Sequence, residues 1–278
     1  MKHIVVNLKR FDIPKSLNGL SDSEYSKEYI YSILNPLVEP LKKYENYLFD
    51  FYIQEAHILN AVEIVKDSTN IRIGCQSNFY DDVSKGGNFG AFTSHRTASS
   101  MKAMECSNSL IGHFEERKHL NYLYSLANID GQEIVNRILN KEIKMAHAQN
   151  MEVCYCIGES DTQLENWDEV LLGQLRIGLQ DIDCSKVIIG YEPLWSIGPG
   201  KTPADRSYIE KVINLVHSFN PNLKVIYGGG VKQDNAAMLA GIDTMSGGLI
   251  GLTNFTTNLG FHADEFLEIV EMYDKNVV

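Results

Sequence analysis

The sequence predicts an α/β protein of the (β/α)8 barrel class, with a single domain over residues 1–278. Eight short apolar runs recur along the chain, and stretches long enough for a helix separate most of them. That alternation implies a parallel sheet. Eight repeats in about 250 residues match a closed barrel better than an open doubly wound sheet, although periodicity alone leaves the open sheet standing. No Pro/Gly/Ser-rich linker or break in composition divides the chain.

In order, the strand-like runs are 4–7, 48–53, 71–76, 109–112, 153–157, 187–191, 225–227 and 249–251. Helices are expected over 23–44, 56–66, 132–149, 162–179, 204–218 and 263–272, several with apolar residues at helical spacing. In a barrel the loops that follow the strands gather at one end, so residues with chemistry are expected just past strand ends. Asn7 and Lys9 end the first run, His113 follows the fourth, and Glu192 the sixth. Gly228, Gly229 and Gly230 follow the seventh, and Gly251 closes the eighth.

Composition narrows the function. The chain is 44% hydrophobic and 22% charged, as in a globular protein, and its formal net charge is −11. That balance argues against nonspecific nucleic-acid binding, which needs a basic surface. It leaves room for a small phosphorylated substrate held by a few oriented amides and one lysine. No run reaches the roughly 18 apolar residues that cross a bilayer, so no membrane partner is expected. The first residues run straight into a strand without a signal-peptide pattern, and the expected location is cytoplasmic. Five scattered cysteines, Cys75, Cys106, Cys154, Cys156 and Cys184, read as reduced thiols. Cys154 and Cys156 would face the same way from a strand, but no His/Cys pair completes a metal site, so neither metal nor cofactor is expected.

The most informative segment is Tyr191-Glu192-Pro193-Leu194-Trp195-Ser196-Ile197-Gly198-Pro199-Gly200-Lys201-Thr202. It places a carboxylate at a strand mouth, followed by a loop with the composition of a lid. Pro193 stiffens its start, Trp195 and Ile197 give apolar cover, and Gly198 and Gly200 give backbone freedom. Local chemistry alone fits an ordinary loop with a surface glutamate equally well. Together with His113, Lys9, Asn7 and glycine-rich amides, it suits proton transfer between adjacent carbons of a phosphorylated hydroxycarbonyl compound. Glu192 would be the base, with burial raising its proton affinity, and His113 would donate to the carbonyl and then the enediolate oxygen. Lys9 would counter the negative charge and Asn7 would orient the same oxygens. Gly198, Gly229, Gly230, Gly251 and Leu252 would bring amides to the phosphate, helped by the dipole of a small helix after residue 251. Glu115 either pairs with Lys9 or is a helix N-terminal carboxylate; both readings stand. His57, His95, His119 and His147 receive surface or loop positions only.

These residues resemble the triosephosphate isomerase family from the first strand to near the C-terminus. The segment 191–202 looks like that family's signature and closing lid. Ile111-Gly112-His113-Phe114-Glu115-Glu116-Arg117 looks like its electrophile segment. Val6-Asn7-Leu8-Lys9 matches the first strand, Gly90-Ala91-Phe92-Thr93 the interface loop, Cys156-Ile157-Gly158-Glu159 the fifth strand end, and Tyr227-Gly228-Gly229 the seventh. The resemblance implies a TIM barrel, usually a homodimer, that interconverts dihydroxyacetone phosphate and glyceraldehyde 3-phosphate without a cofactor, in glycolysis and gluconeogenesis. It implies catalytic roles for Asn7, Lys9, His113, Glu115 and Glu192. The chain departs from the pattern at four places: Leu8 replaces a tryptophan, Phe114 and Gly230 replace serines, and Leu252 replaces the second glycine of the phosphate loop. The segments 76–90 and after Arg117 are longer than in the family. Two alternatives remain at this stage, an isomerase of a related sugar phosphate such as a tetrulose phosphate, and a noncatalytic phosphosugar-binding homologue.

Overall fold

A closed ring of eight parallel strands organises the chain, seen in a computed structural model that describes residues 1–197, 200–256 and 258–277. The strands are β1 (Lys2–Asn7), β2 (Tyr47–Ile53), β3 (Ile71–Cys75), β4 (Asn108–Ile111), β5 (Glu152–Ile157), β6 (Val187–Tyr191), β7 (Lys224–Tyr227) and β8 (Gly247–Ile250). Each pairs with the next in parallel. Closure comes from β1 against β8, with His3 opposite Gly247 and Val6 opposite Ile250. Every expected strand is present, with ends within two residues of the sequence reading.

Alternation along each strand builds the two layers. Val5, Leu110, Cys154, Cys156, Ile188 and Leu249 fill the barrel interior. Their neighbours, such as Ile4, Val6, Phe49, Phe51, Val153 and Ile189, face outward into the layer beneath the helices. The outer layer comprises α1 (Ser26–Leu41), α2 (Ile58–Val65), α3 (Ala98–Ala103), α4 (Phe114–Ser125), α5 (Gln132–Ala148), α6 (Trp167–Gly178), α7 (Arg206–Phe219), α8 (Gln233–Ala240) and α9 (Ala263–Asp274). The five cysteines are free thiols, four buried and Cys184 half-buried.

Six of these helices answer to the expected ones. Three do not, for physical reasons. In α4 only Arg117 is buried, with Leu120 and Tyr124 half-buried against the core, so its apolar stripe is too thin for periodicity to find. Both α3 and α8 are short, at six and eight residues. The extension after Arg117 is taken up by α4 itself, which runs through Asn121 and Tyr124. His57 also departs from its expected surface position: it is 1% exposed, 3.3 Å from Asp12. Among the described residues no helix is long and apolar enough to cross a membrane.

Candidate active site

Glu192 is the first residue past β6, and its backbone is held on both sides. Its N–H donates to Ile157 O at 2.8 Å, and Gly228 N–H donates to Tyr191 O at 2.7 Å. The approach is too close for side chains on the neighbours: a Cβ on Gly158 would lie 1.9 Å from Glu192 O, and one on Gly228 3.0 Å from Glu192 Cγ. The carboxylate is only 3% exposed. Its Oε2 accepts from the Phe114 N–H at 3.1 Å, and its Oε1 lies 3.1 Å from His113 Nε2.

His113 caps the N-terminus of α4, directly after β4. Its other nitrogen, Nδ1, meets the Glu115 carboxylate Oε2, whose Oε1 lies 2.5 Å from Lys9 Nζ. Four groups from three strand ends therefore alternate in sign: Glu192, His113, Glu115, Lys9. Burial alone would push the His113 imidazole down, but the charges and hydrogen bonds of Glu192 and Glu115 outweigh it and hold the ring up at about 10. Burial likewise pushes the Glu115 carboxyl up, and His113 and Lys9 overcome it, bringing it down to about 2. The Glu115 N–H also points at His113 Nδ1, 3.4 Å away. Only a neutral imidazole can accept that bond, whereas only a protonated Nδ1 can donate to the carboxylate. The two contacts thus serve two protonation states of one ring. Glu115 itself satisfies both sequence readings, since it pairs with Lys9 and stands in the first turn of α4.

Asn7 and Lys9 are fixed at the end of β1. Asn7 Oδ1 accepts from Lys9 N–H at 3.0 Å and from Gln76 Nε2 at 3.1 Å, and Gln76 also donates to Lys9 O at 2.9 Å. Lys9 holds φ +42, a left-handed backbone uncommon for a side-chain-bearing residue, within this mesh of bonds. Sequence reasoning missed Gln76, which braces both.

The lid is anchored at both roots. At the first, the buried Glu159 Oε1 accepts from Trp195 Nε1 at 2.8 Å, Tyr191 OH at 2.9 Å and Tyr208 OH at 3.1 Å. At the second, Ala204 N–H donates to Tyr227 OH at 3.0 Å. No role was assigned to these tyrosines or to Glu159 from sequence. The available signal was an acid two residues past a strand end, Glu159, and the donors Tyr191 and Trp195 within the segment 191–202.

The expected phosphate loops lie where the barrel reading put them, past β7 and β8. Gly229 is buried against Pro193 and the Tyr227 hydroxyl, Gly230 takes φ +91, and Gly251 packs near Lys9 Cε. Leu252 is half-buried beside it. Gly198 falls outside the described residues. The small helix expected after residue 251 is not there among the described residues. Thr253 and Asn254 N–H groups both donate to Gly260 O, at 3.0 and 3.1 Å, and Gly260 returns a bond to Asn254 O. Backbone bonds spent across that loop are unavailable for a helical turn, and the next helix is α9.

The triosephosphate isomerase family profile matches residues 51–273, most of the chain. The chain belongs to the triosephosphate isomerase family. It is 31% identical over 229 residues to the triosephosphate isomerase of Chloroherpeton thalassium, covering 76% of this chain and 79% of that one. It is likewise 31% identical over 225 residues to that of Lawsonia intracellularis, covering 76% and 80%. Its fold matches the crystal structure of triosephosphate isomerase from Bartonella henselae with a TM-score of 0.72 at 20% identity, over 98% of this chain and 99% of that one.

As a member of this family, the chain handles its departures in visible ways. Phe114 lacks a hydroxyl, and its backbone N–H reaches Glu192 instead. Phe114 helps line a groove of about 690 Å3 bounded by α4, α5 and α6. Leu8, in place of the family's tryptophan, is fully buried and part of the outer core.

Proposed function

We propose that this single-domain chain interconverts dihydroxyacetone phosphate and glyceraldehyde 3-phosphate by enediolate proton transfer. The observation that carries the reading is the unbroken series Glu192, His113, Glu115, Lys9 at the C-terminal mouth of the barrel, with base and electrophile 3.1 Å apart. A substrate must part that pair, because its reacting carbon and carbonyl oxygen belong between them. Glu192 then takes a proton from C1 of dihydroxyacetone phosphate and returns it to C2. The hydroxyl proton on O1 passes to O2 by way of His113.

Once Glu192 leaves it, His113 loses the charge that supports its second proton. The positive N-terminus of α4 then favours the neutral ring, with Nδ1 accepting the Glu115 N–H and Nε2–H free for the substrate oxygen. Lys9 balances the developing enediolate charge. Both bonds to Asn7 end on its Oδ1, so among the described residues its amide N–H groups remain for the same oxygens. The amides of Gly229, Gly230, Gly251 and Leu252, with Gly198 from the lid, hold the phosphate. Among the described residues no cluster of three or more His, Cys, Asp or Glu side chains is arranged to hold a metal ion. Fixed amides and Lys9 are enough to carry the charge in this scheme.

The working unit is a homodimer in the cytoplasm, serving glycolysis and gluconeogenesis. A cavity of about 610 Å3 opens beside Lys9, Phe11, Gln76 and His113, and the long loop after β3 carries Phe89 79% exposed, with Tyr80 and Val83. That pairing of an open cavity and an exposed apolar loop supports reciprocal docking. The family match and the curated relatives favour the triose substrate over a tetrulose phosphate. Coupled assays with glyceraldehyde 3-phosphate and tetrulose phosphates test this. Turnover of the triose, abolished in Glu192→Gln, is expected; turnover of tetrulose phosphates alone would overturn the substrate assignment.

A further inference from the structure

Resting on the isomerase reading above, we propose that Lys232, seated on the ring of Phe255, is a direct cationic contact for the substrate phosphate. It would offset the hydroxyl and the open backbone that this chain lacks at Gly230 and Leu252. Lys232 stands two residues past Gly230, on the loop after β7. Asn235 fixes that loop: its Oδ1 accepts from Lys232 N–H at 2.8 Å and its Nδ2 donates to Gly230 O at 2.9 Å. The lysine side chain lies along the bare face of Gly230, with Cε 3.9 Å from where a Cβ would sit. Its Nζ lies 4.6 Å from the centroid of Phe255, which belongs to the loop after β8, just beyond Gly251 and Leu252. The ammonium therefore spans the two loops whose amides are assigned to the phosphate.

Two properties of the pair point to an anion. Among the described residues Lys232 makes no salt bridge; the same holds for Lys43, Lys118 and Lys141, which also stand over aromatic rings, but those lie just past α1, in α4 and in α5, and not between the loops after β7 and β8. An aromatic face holds a cation in place without neutralising it, so the ammonium stays available to a dianion. In a chain of net charge −11, it also gives the site a local positive field that the surface as a whole does not supply.

The test compares wild type, Lys232→Met, Lys232→Arg and Phe255→Leu. Readouts are KM for glyceraldehyde 3-phosphate, the inhibition constant of orthophosphate, and turnover of unphosphorylated glyceraldehyde. Lys232→Met is expected to raise both phosphate-dependent constants about tenfold, the size of one lost hydrogen bond to a charged group. Lys232→Arg is expected to stay near wild type. Phe255→Leu is expected to raise them about threefold through loss of the ring platform. Glyceraldehyde turnover is expected to be unchanged throughout. Wild-type phosphate constants in Lys232→Met, or an equal loss on unphosphorylated glyceraldehyde, would overturn the proposal. If Lys232→Met does not fold, the shift in Phe255→Leu decides. If wild type turns over no triose phosphate, the isomerase reading fails separately, and calorimetry of orthophosphate binding to wild type and Lys232→Met still tests the contact.

Discussion

Replacing Glu115 with glutamine keeps its shape and removes the charge that joins His113 to Lys9. In the wild type His113 is held from an ordinary 6.5 up to about 10. Each unit corresponds to about 1.4 kcal/mol, so the whole shift sets a ceiling of about 5 kcal/mol, shared between Glu192 and Glu115. The Glu115 side chain is 52% exposed, and solvent screening reduces its share to about 1 kcal/mol. The sign follows from the raised value. A protonated His113 stabilises the fold fully below pH 6.5, and that contribution is lost as pH rises through about 10. Urea unfolding at pH 6 and pH 9.5 therefore gives a smaller alkaline loss in Glu115→Gln than in wild type, by about 0.5 kcal/mol, because pH 9.5 is still below the wild-type value. Steady-state kinetics on the same samples give kcat/KM lower by about 10- to 100-fold, since both His113 and Lys9 lose a positioning contact. Equal alkaline losses in both proteins, together with unchanged kcat/KM, would refute the charge series as the organiser of the site.

Four further outcomes follow from the same geometry. Glu192→Asp withdraws the carboxylate by roughly one bond length and should lower kcat by about 100-fold or more, measured by coupled assay; near-wild-type turnover would remove Glu192 as the base. Tyr208→Phe removes one of three donors to Glu159 from outside the lid and should cost about 1 kcal/mol in urea unfolding with little kinetic effect. Trp195→Phe removes a donor from the lid itself and should lower kcat severalfold, and equal kinetic effects of the two variants would contradict the assignment of that root. Phe89→Asp places a charge on the exposed loop and should convert the proposed dimer to monomer in sedimentation velocity; a wild type that already sediments as a monomer would contradict docking through this loop.

The barrel was legible because its strands are short apolar runs whose ends coincide with residues that have chemistry. Glu192, His113 and Lys9 could be placed at one mouth from that coincidence alone. What stayed hidden depends on contacts between distant segments. Gln76 bracing Asn7, and Tyr208 reaching Glu159 from α7, leave no local pattern. Helix α4 escaped because a helix that buries little apolar surface has no periodic signature, yet His113, the proposed electrophile, is its N-cap. The helix expected after residue 251 failed for the opposite reason: local composition permitted it, and the Asn254–Gly260 bridge took its backbone groups. Phe114 in place of serine removes a side-chain hydroxyl near Glu192, and side-chain identity could not reveal that the main chain supplies a bond to that carboxylate.

The most direct test of the central claim is proton NMR of the purified protein with dihydroxyacetone phosphate in deuterated water, beside Glu192→Gln. Wild type is expected to form glyceraldehyde 3-phosphate and to introduce deuterium at the carbon that receives the proton from Glu192, while the variant does neither. Isomerisation that persists in Glu192→Gln, or a wild type that binds the substrate and exchanges no hydrogen, would contradict the account.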